Sequence, residues 1–267
     1  MTGFISRLVV GAVGIPLVLG MVWLGGWWLF ALVIAAALVA VHEFVTMARP
    51  LRPLAPAAYA GTLLGLTGAR TGGLVWLLGG VLATFVFAFV LNAFAETRAP
   101  STVAIGATVL GAAWIGFGLG HLLLLRQLHS EPRLLAFTVL LTVWAADTFA
   151  YFSGRLLGRH KLAPSLSPGK TWEGFVVGSA VGIFVSFVAL YDTRHTYMTS
   201  WQAIVLGLVV VLAAAVGDLF ESMLKRDMQV KDTGHLLGGH GGVLDRVDSL
   251  LFAGAAAYYL VLGFGFS

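Results

Sequence analysis

The chain has no cysteine. That excludes disulfides, thiol nucleophiles and cysteine-ligated metal sites, and leaves the compartment open. Charge is also scarce: 10% of the 267 residues are Asp, Glu, Lys or Arg, while 59% are hydrophobic. Soluble domains carry about 25% charged residues, so this chain cannot clothe a globule in polar surface. No internal repeat is visible, so the inverted-repeat mark of many transporters is missing. The apolar runs are continuous rather than alternating, which excludes a β-barrel.

What the chain does have is a series of nearly charge-free stretches close to the length needed to cross about 30 Å of hydrocarbon. We read them as an all-α polytopic integral membrane protein of about nine transmembrane helices, since lipid leaves a backbone no water to bond with. The segments run at about 4–24, 27–47, 55–69, 73–95, 102–125, 134–154, 172–191, 201–224 and 249–266. The third is the shortest. The first carries a lone Arg7 near its start and resembles a signal peptide, but further spans follow at once and no small-residue cleavage site ends it.

Loop charge gives the orientation. With a cytoplasmic N-terminus, twelve basic residues fall inside (Arg7, Arg49, Arg52, Arg98, Arg155, Arg159, Lys161, Lys170, Lys225, Arg226, Lys231 and Arg246) and four outside (Arg70, Arg126, Arg133 and Arg194). That is the asymmetry expected of cytoplasmic loops, and dropping the third segment would destroy it. The net charge of +4 therefore reflects inside loops and an anionic ligand rather than nucleic acid.

Polar content divides the chain. Residues 1–135 read as helices for packing and lipid contact, and their Gly and Ala suit close helix approach, within one chain or in a homodimer. His42 and Glu43, near the inner end of the second segment, read as interfacial, and His121 as structural. Residues 136–267 read as the catalytic membrane region, with two long inside loops. Acidic groups at or near membrane depth there, Asp147, Asp218, Glu221, Asp245 and Asp248, are functional candidates by default.

Asp218, Glu221, Ser222 and Lys225 recur at i, i+3, i+4 and i+7, which puts them on one helical face. Neutralisation within that helix is the plainer alternative. The next loop reads KRDMQVKDTGHLLGGHGGVLDRVDS. Its glycines, Gly234, Gly238, Gly239, Gly241 and Gly242, let backbone N–H groups approach phosphate oxygens. Lys225, Arg226, Lys231 and Arg246 suit a polyphosphate. Asp245 and Asp248 are three apart at the start of the last helix, and hard oxygen ligands of this kind suit Mg²⁺. Singly, a glycine cluster also fits a flexible loop and an acid pair a helix cap; together they favour a metal–nucleotide site. The earlier loop, GRLLGRHKLAPSLSPGKTWEG, places Lys170 and Thr171 at a helix entry, where free N–H groups favour anions. Its GKT is not a P-loop, because Pro164 stands where the first glycine belongs.

These residues carry a resemblance. Ser222, Lys225, Arg226, Lys231, Asp232, Gly234, Leu237, His240, Gly241, Gly242, Asp245, Arg246 and Asp248 match the pattern S-x-x-K-R-x4-K-D-x-G-x2-L-x-x-H-G-G-x-x-D-R-x-D of the phosphatidate cytidylyltransferases. Upstream, Asp147, Ala150, Tyr151, Gly154, Gly158, Lys161, Leu162, Pro164, Ser167, Pro168, Lys170, Thr171, Trp172, Glu173 and Gly174 are similar to the same family. The likeness covers about residues 145–250. One departure is Gly238, where the family usually has proline.

The resemblance implies that phosphatidic acid attacks the α-phosphorus of CTP, giving CDP-diacylglycerol and pyrophosphate. The nucleophile is already anionic, so alignment and charge neutralisation are the main tasks. It implies Mg²⁺, with room for a second ion, on Asp218, Asp245 and Asp248. Lys225 and Arg246 join these acids as catalytic residues. Lys161, Ser167, Lys170, Thr171, Arg226, Lys231, Asp232, His240, Gly241, Gly242 and Asp147 are expected to bind substrate. The expected setting is a bacterial plasma membrane with the site facing the cytoplasm. The rivals are a CTP-dependent, dolichol-type lipid alcohol kinase and a cation-coupled transporter. The pattern of the CDP-alcohol phosphotransferases is absent.

Overall fold

The computed structural model describes residues 2–94, 101–234, 236 and 241–266, with side chains from residue 11 onward. The described residues are mostly helical. They form α1 (Thr2–Leu24), α2 (Gly26–Met47), α3 (Ala55–Gly72), α4 (Leu74–Ala93), α5 (Ser101–Ala112), α6 (Gly118–Leu125), α7 (Pro132–Leu157), α8 (Trp172–Leu190), α9 (Ser200–Asp227) and α10 (Leu244–Gly263). A π-helical turn, Ala113–Phe117, joins α5 to α6, so the expected fifth segment is one helical run with a wide turn inside it. A hairpin of β1 (Lys161–Ala163) and β2 (Ser167–Thr171) separates α7 from α8.

Helix ends follow local chemistry. Gly73, at φ 75°, breaks α3 from α4 in a conformation L side chains rarely adopt. Pro132 starts α7 in the first turn, where its missing N–H costs nothing.

Among the described residues, six helical stretches are long and apolar enough to cross a membrane by length and composition: Gly26–Met47, Leu74–Ala93, Ser101–Leu125, Pro132–Leu157, Trp172–Thr193 and Ser200–Asp227. Large apolar side chains such as Trp76, Phe89, Phe184 and Val216 point outward from them, as hydrocarbon contact requires. The weakly hydropathic third segment is nevertheless helical. It buries Ala57, Ala58, Gly61, Gly65, Gly68 and Ala69 against protein, which explains its small side chains.

The chain forms two compact units. The first comprises residues 1–124 and 227–247. In it α3 and α4 approach so closely that a Cβ on Gly80 would run into the backbone of Gly65, the small-residue packing that membrane helices use. The Thr108 hydroxyl accepts from Leu54 N at 2.8 Å and pins the entry of α3 to α5. The second unit comprises residues 125–226 and 248–267. Here α7 lies on α8 through Gly154, Gly174 and Gly178, and a Cβ at Gly178 would fall 2.5 Å from Ala146 O. Ser186 Oγ donates to Ala203 O at 2.8 Å, fixing α8 to α9.

Candidate active site

In the second unit, α9 carries Asp218, Glu221 and Lys225 on one face, as their spacing predicts. Gly217 lets the start of α10 come against this face, since a Cβ there would lie 2.6 Å from Asp248 O. The result is a carboxylate cluster: ligand oxygens of Asp218, Glu221 and Asp248 all lie within 4.8 Å of one another. Glu221 is 1% exposed and Asp248 8%. Three carboxylates this close, two of them buried, repel one another unless cations intervene. Two lysines supply part of that charge. Lys170 Nζ lies 2.6 Å from Asp218 Oδ2, and Lys225 Nζ lies 2.5 Å from Glu221 Oε2. Asp147, on α7, adds its charge to the field at Asp248. An all-oxygen, net-anionic donor set of this kind fits a hard divalent cation such as Mg²⁺.

The hairpin explains how Lys170 is delivered. Lys161 pairs with Thr171 and Ala163 with Ser167. Trp172 N donates to His160 O at 2.9 Å, closing the hairpin against the start of α8. Glu173 accepts from His160 Nδ1 at 2.6 Å and from His160 N at 3.2 Å. Thr171 caps α8, its hydroxyl accepting from Gly174 N at 3.1 Å. Arg226 Nε donates to Leu166 O at 3.1 Å and ties the hairpin tip to the end of α9. Lys161 and Arg226 are exposed, and Ser167 is half-buried.

In the first unit, two carboxylates organise the described part of the glycine-rich loop. Asp245 Oδ2 accepts from Thr233 N at 3.0 Å, Thr233 Oγ1 at 2.9 Å and Gly242 N at 2.7 Å. Gly241 sits at φ 76°, and a Cβ there would meet Asp245 Oδ2 at 2.6 Å, so both conformation and space call for glycine. Glu43 is 5% exposed. It accepts from Val243 N at 3.0 Å and Leu244 N at 2.8 Å.

The Cytidylyltransferase family profile matches residues 5–264. The chain belongs to the cytidylyltransferase family. It is therefore a nucleotidyltransferase, as the motifs of residues 145–250 lead one to expect. A phosphatidate cytidylyltransferase of Mycobacterium bovis is 33% identical over 274 residues, covering 96% of this chain and 87% of that protein. One from Pseudomonas aeruginosa is 36% identical over 93% of both chains. One from Haemophilus influenzae is 46% identical over 118 residues, a match spanning 43% of this chain and 41% of that protein.

In this cytidylyltransferase, Asp218, Asp248, Lys170 and Lys225 of the expected site lie together in the second unit. Asp245, Gly241 and Gly242 lie together in the first, whose exposed surface also carries Lys231, Asp232 and Arg246. His240, Gly238, Gly239 and Leu237 lie outside the described residues, as does Arg98. Two acids take larger parts than the sequence reading gave them. Glu221, read as sharing a face with Asp218, joins the carboxylate cluster itself. Glu43, read as interfacial, is buried against the glycine-rich loop. The signal available for Glu43 was its position beside an apolar run, where an ionisable residue is costly.

Proposed function

We propose that this chain is a phosphatidate cytidylyltransferase, joining CTP and phosphatidic acid to give CDP-diacylglycerol and pyrophosphate. The observation that carries this reading is the Asp218–Glu221–Asp248 cluster, with Glu221 and Asp248 buried and Lys170 and Lys225 flanking it, in a chain whose full-length relatives bear that name. A phosphatidate oxygen forms a bond to the α-phosphorus of CTP. The bond from that phosphorus to the α–β bridging oxygen breaks, and pyrophosphate leaves with the bond's electron pair. No side chain has to remove a proton, because the attacking phosphate is already anionic. Catalysis then rests on alignment and on neutralising phosphate charge.

Asp218, Glu221 and Asp248 would hold Mg²⁺, with Asp147 adding negative charge nearby. Bound there, the ion would supply charge neutralisation to the triphosphate. Lys170 and Lys225 hold phosphate oxygens, and Lys161, Arg226, Lys231 and Arg246 draw the anionic substrates in. The glycine-rich loop, shaped through Asp245 at Thr233 and Gly242, is read as the element that takes CTP. Asp245 is expected, with Asp218 and Asp248, as a metal ligand. Its Oδ2 takes three hydrogen bonds within the loop, which adds a second part for it, holding the loop's shape. Thr171 likewise supports the site as a helix cap.

The proposed topology is nine spans with a cytoplasmic N-terminus, in the plasma membrane of a bacterium. The hairpin and the glycine-rich loop then face the cytoplasm, where CTP is made. Transfer of label separates this reading from a lipid alcohol kinase. With phosphatidic acid, label from α-phosphate-labelled CTP should enter lipid and label from γ-labelled CTP should appear in pyrophosphate. Transfer of the γ-label to a lipid alcohol would overturn the proposal.

A further inference from the structure

The N-terminal helices read from sequence as packing and lipid contact, yet one of them reaches directly into the glycine-rich loop. Glu43, on α2, sits 200 residues from its hydrogen-bond partner Val243. Both of its carboxylate oxygens are used, one on Val243 N and one on Leu244 N. Leu244 is the first residue of α10, so these are N–H groups that the helix itself leaves without an acceptor. A carboxylate at this end also meets the positive pole of the helix dipole.

The two glycines on either side of the loop complete the fit. A Cβ on Gly234 would fall 2.6 Å from Glu43 Oε1, and one on Gly242 would fall 2.5 Å from Glu43 Oε2. These positions are glycine because a carboxylate occupies the space beside them. Glu43 and Asp245 thus share the loop's backbone. Asp245 joins Thr233 to Gly242, and Glu43 fixes the next two residues, Val243 and Leu244.

We propose that Glu43 is a positioning residue for nucleotide binding: from α2 it fixes the backbone at Val243 and Leu244, and Gly234 and Gly242 are cut to fit it. The inference rests on the reading of this loop as the CTP-facing element. Glu43 does not touch the reacting atoms. It acts through loop geometry, so the apparent affinity for CTP is set from a helix outside the motifs of residues 145–250.

The test uses the full-length detergent-solubilised protein with Glu43→Gln, Glu43→Asp, Gly242→Ala and the Glu43→Asp/Gly242→Ala double variant. Thr84→Ala, a buried packing change on α4, serves as the control for general destabilisation. Glu43→Gln keeps the volume but turns an N–H donor toward a backbone N–H. The expected result is a KM for CTP raised at least tenfold while the KM for phosphatidic acid moves less than twofold. A misplaced binding group costs on the order of 100-fold in rate, which bounds the expected fall in kcat/KM. Gly242→Ala should reproduce the CTP defect, and shortening the acid in the double variant should recover part of it. Direct CTP titration, read as a shift in unfolding temperature, repeats the comparison without turnover. If the wild type binds CTP but makes no liponucleotide, the assigned reaction fails while this test still stands. Additive Glu43 and Gly242 effects on CTP binding would overturn the proposal. So would a Glu43→Gln defect that only tracks lost stability, as in the control.

Discussion

Lys170 Nζ and Asp218 Oδ2 are 2.6 Å apart, although 48 positions of sequence separate the two residues. The contact places a lysine from a short hairpin against an acid within an apolar helix. Lys170 is 24% exposed and Asp218 32%, so the pair is open enough for phosphate to compete for the lysine. Lys170→Met should lower kcat/KM by about 10²–10³, the range seen when one donor to developing charge is lost. Lys170→Arg should recover part of it. Steady-state kinetics at fixed Mg²⁺ check this, and unchanged kcat/KM in Lys170→Met would remove the lysine from phosphate binding.

Asp218, Glu221 and Asp248 should act together in metal use. Asp218→Asn and Asp248→Asn each remove one hard ligand charge, so the Mg²⁺ concentration for half-maximal activity should rise at least tenfold. Glu221→Gln should do the same, although the sequence reading did not name Glu221 as a ligand. A metal titration of each variant gives the answer. A shift in the aspartate variants with none in Glu221→Gln would confine the site to the aspartates.

Gly241→Ala tests the loop independently of charge. A side chain at φ 76° costs roughly 1–2 kcal/mol, and this one would also press on Asp245. Apparent CTP affinity should fall by at least tenfold, while Gly169→Ala, whose Cβ meets nothing within 4 Å, should remain near wild type. CTP saturation curves for the two variants make the comparison.

Packing of α3 on α4 predicts a stability effect away from the site. Gly80→Val would force the two backbones apart, and overpacking of this kind costs about 1–3 kcal/mol. The unfolding temperature in detergent should drop, while Gly79→Val, with nothing within 4 Å of its Cβ, should leave it unchanged.

The absence of cysteine makes topology directly measurable. Ser165→Cys in the hairpin should resist a membrane-impermeant maleimide in intact cells and react after permeabilisation. Thr196→Cys, between α8 and α9, should react in intact cells. The reverse pattern would invert the proposed orientation.

Much of this was legible in the sequence because lipid imposes strong rules. Helices were readable from apolar length, and the face shared by Asp218, Glu221 and Lys225 from a period of 3.6. The third segment was harder, because its small residues face protein and lower its apolar signal. The hairpin was read only as a loop, since Lys161–Ala163 and Ser167–Thr171 are short and polar and carry no clear alternation. The role of Glu43 was out of reach for a different reason. Its partners are backbone N–H groups about 200 residues away, and backbone amides leave no mark in a sequence. Gly234 and Gly242 were read as freedom for phosphate approach, whereas the structure shows them also making room for a carboxylate.

In the proposed reaction the carboxylate cluster of the second unit makes the liponucleotide. Its most direct test is Mg²⁺-dependent turnover of phosphatidic acid and α-labelled CTP by the purified protein, beside an Asp218→Asn variant of wild-type unfolding temperature. Labelled CDP-diacylglycerol is expected from the wild type, lost on chelation and lowered at least 100-fold in the variant, consistent with loss of a charge-stabilising group. Equal liponucleotide synthesis by the variant at limiting Mg²⁺ would contradict it.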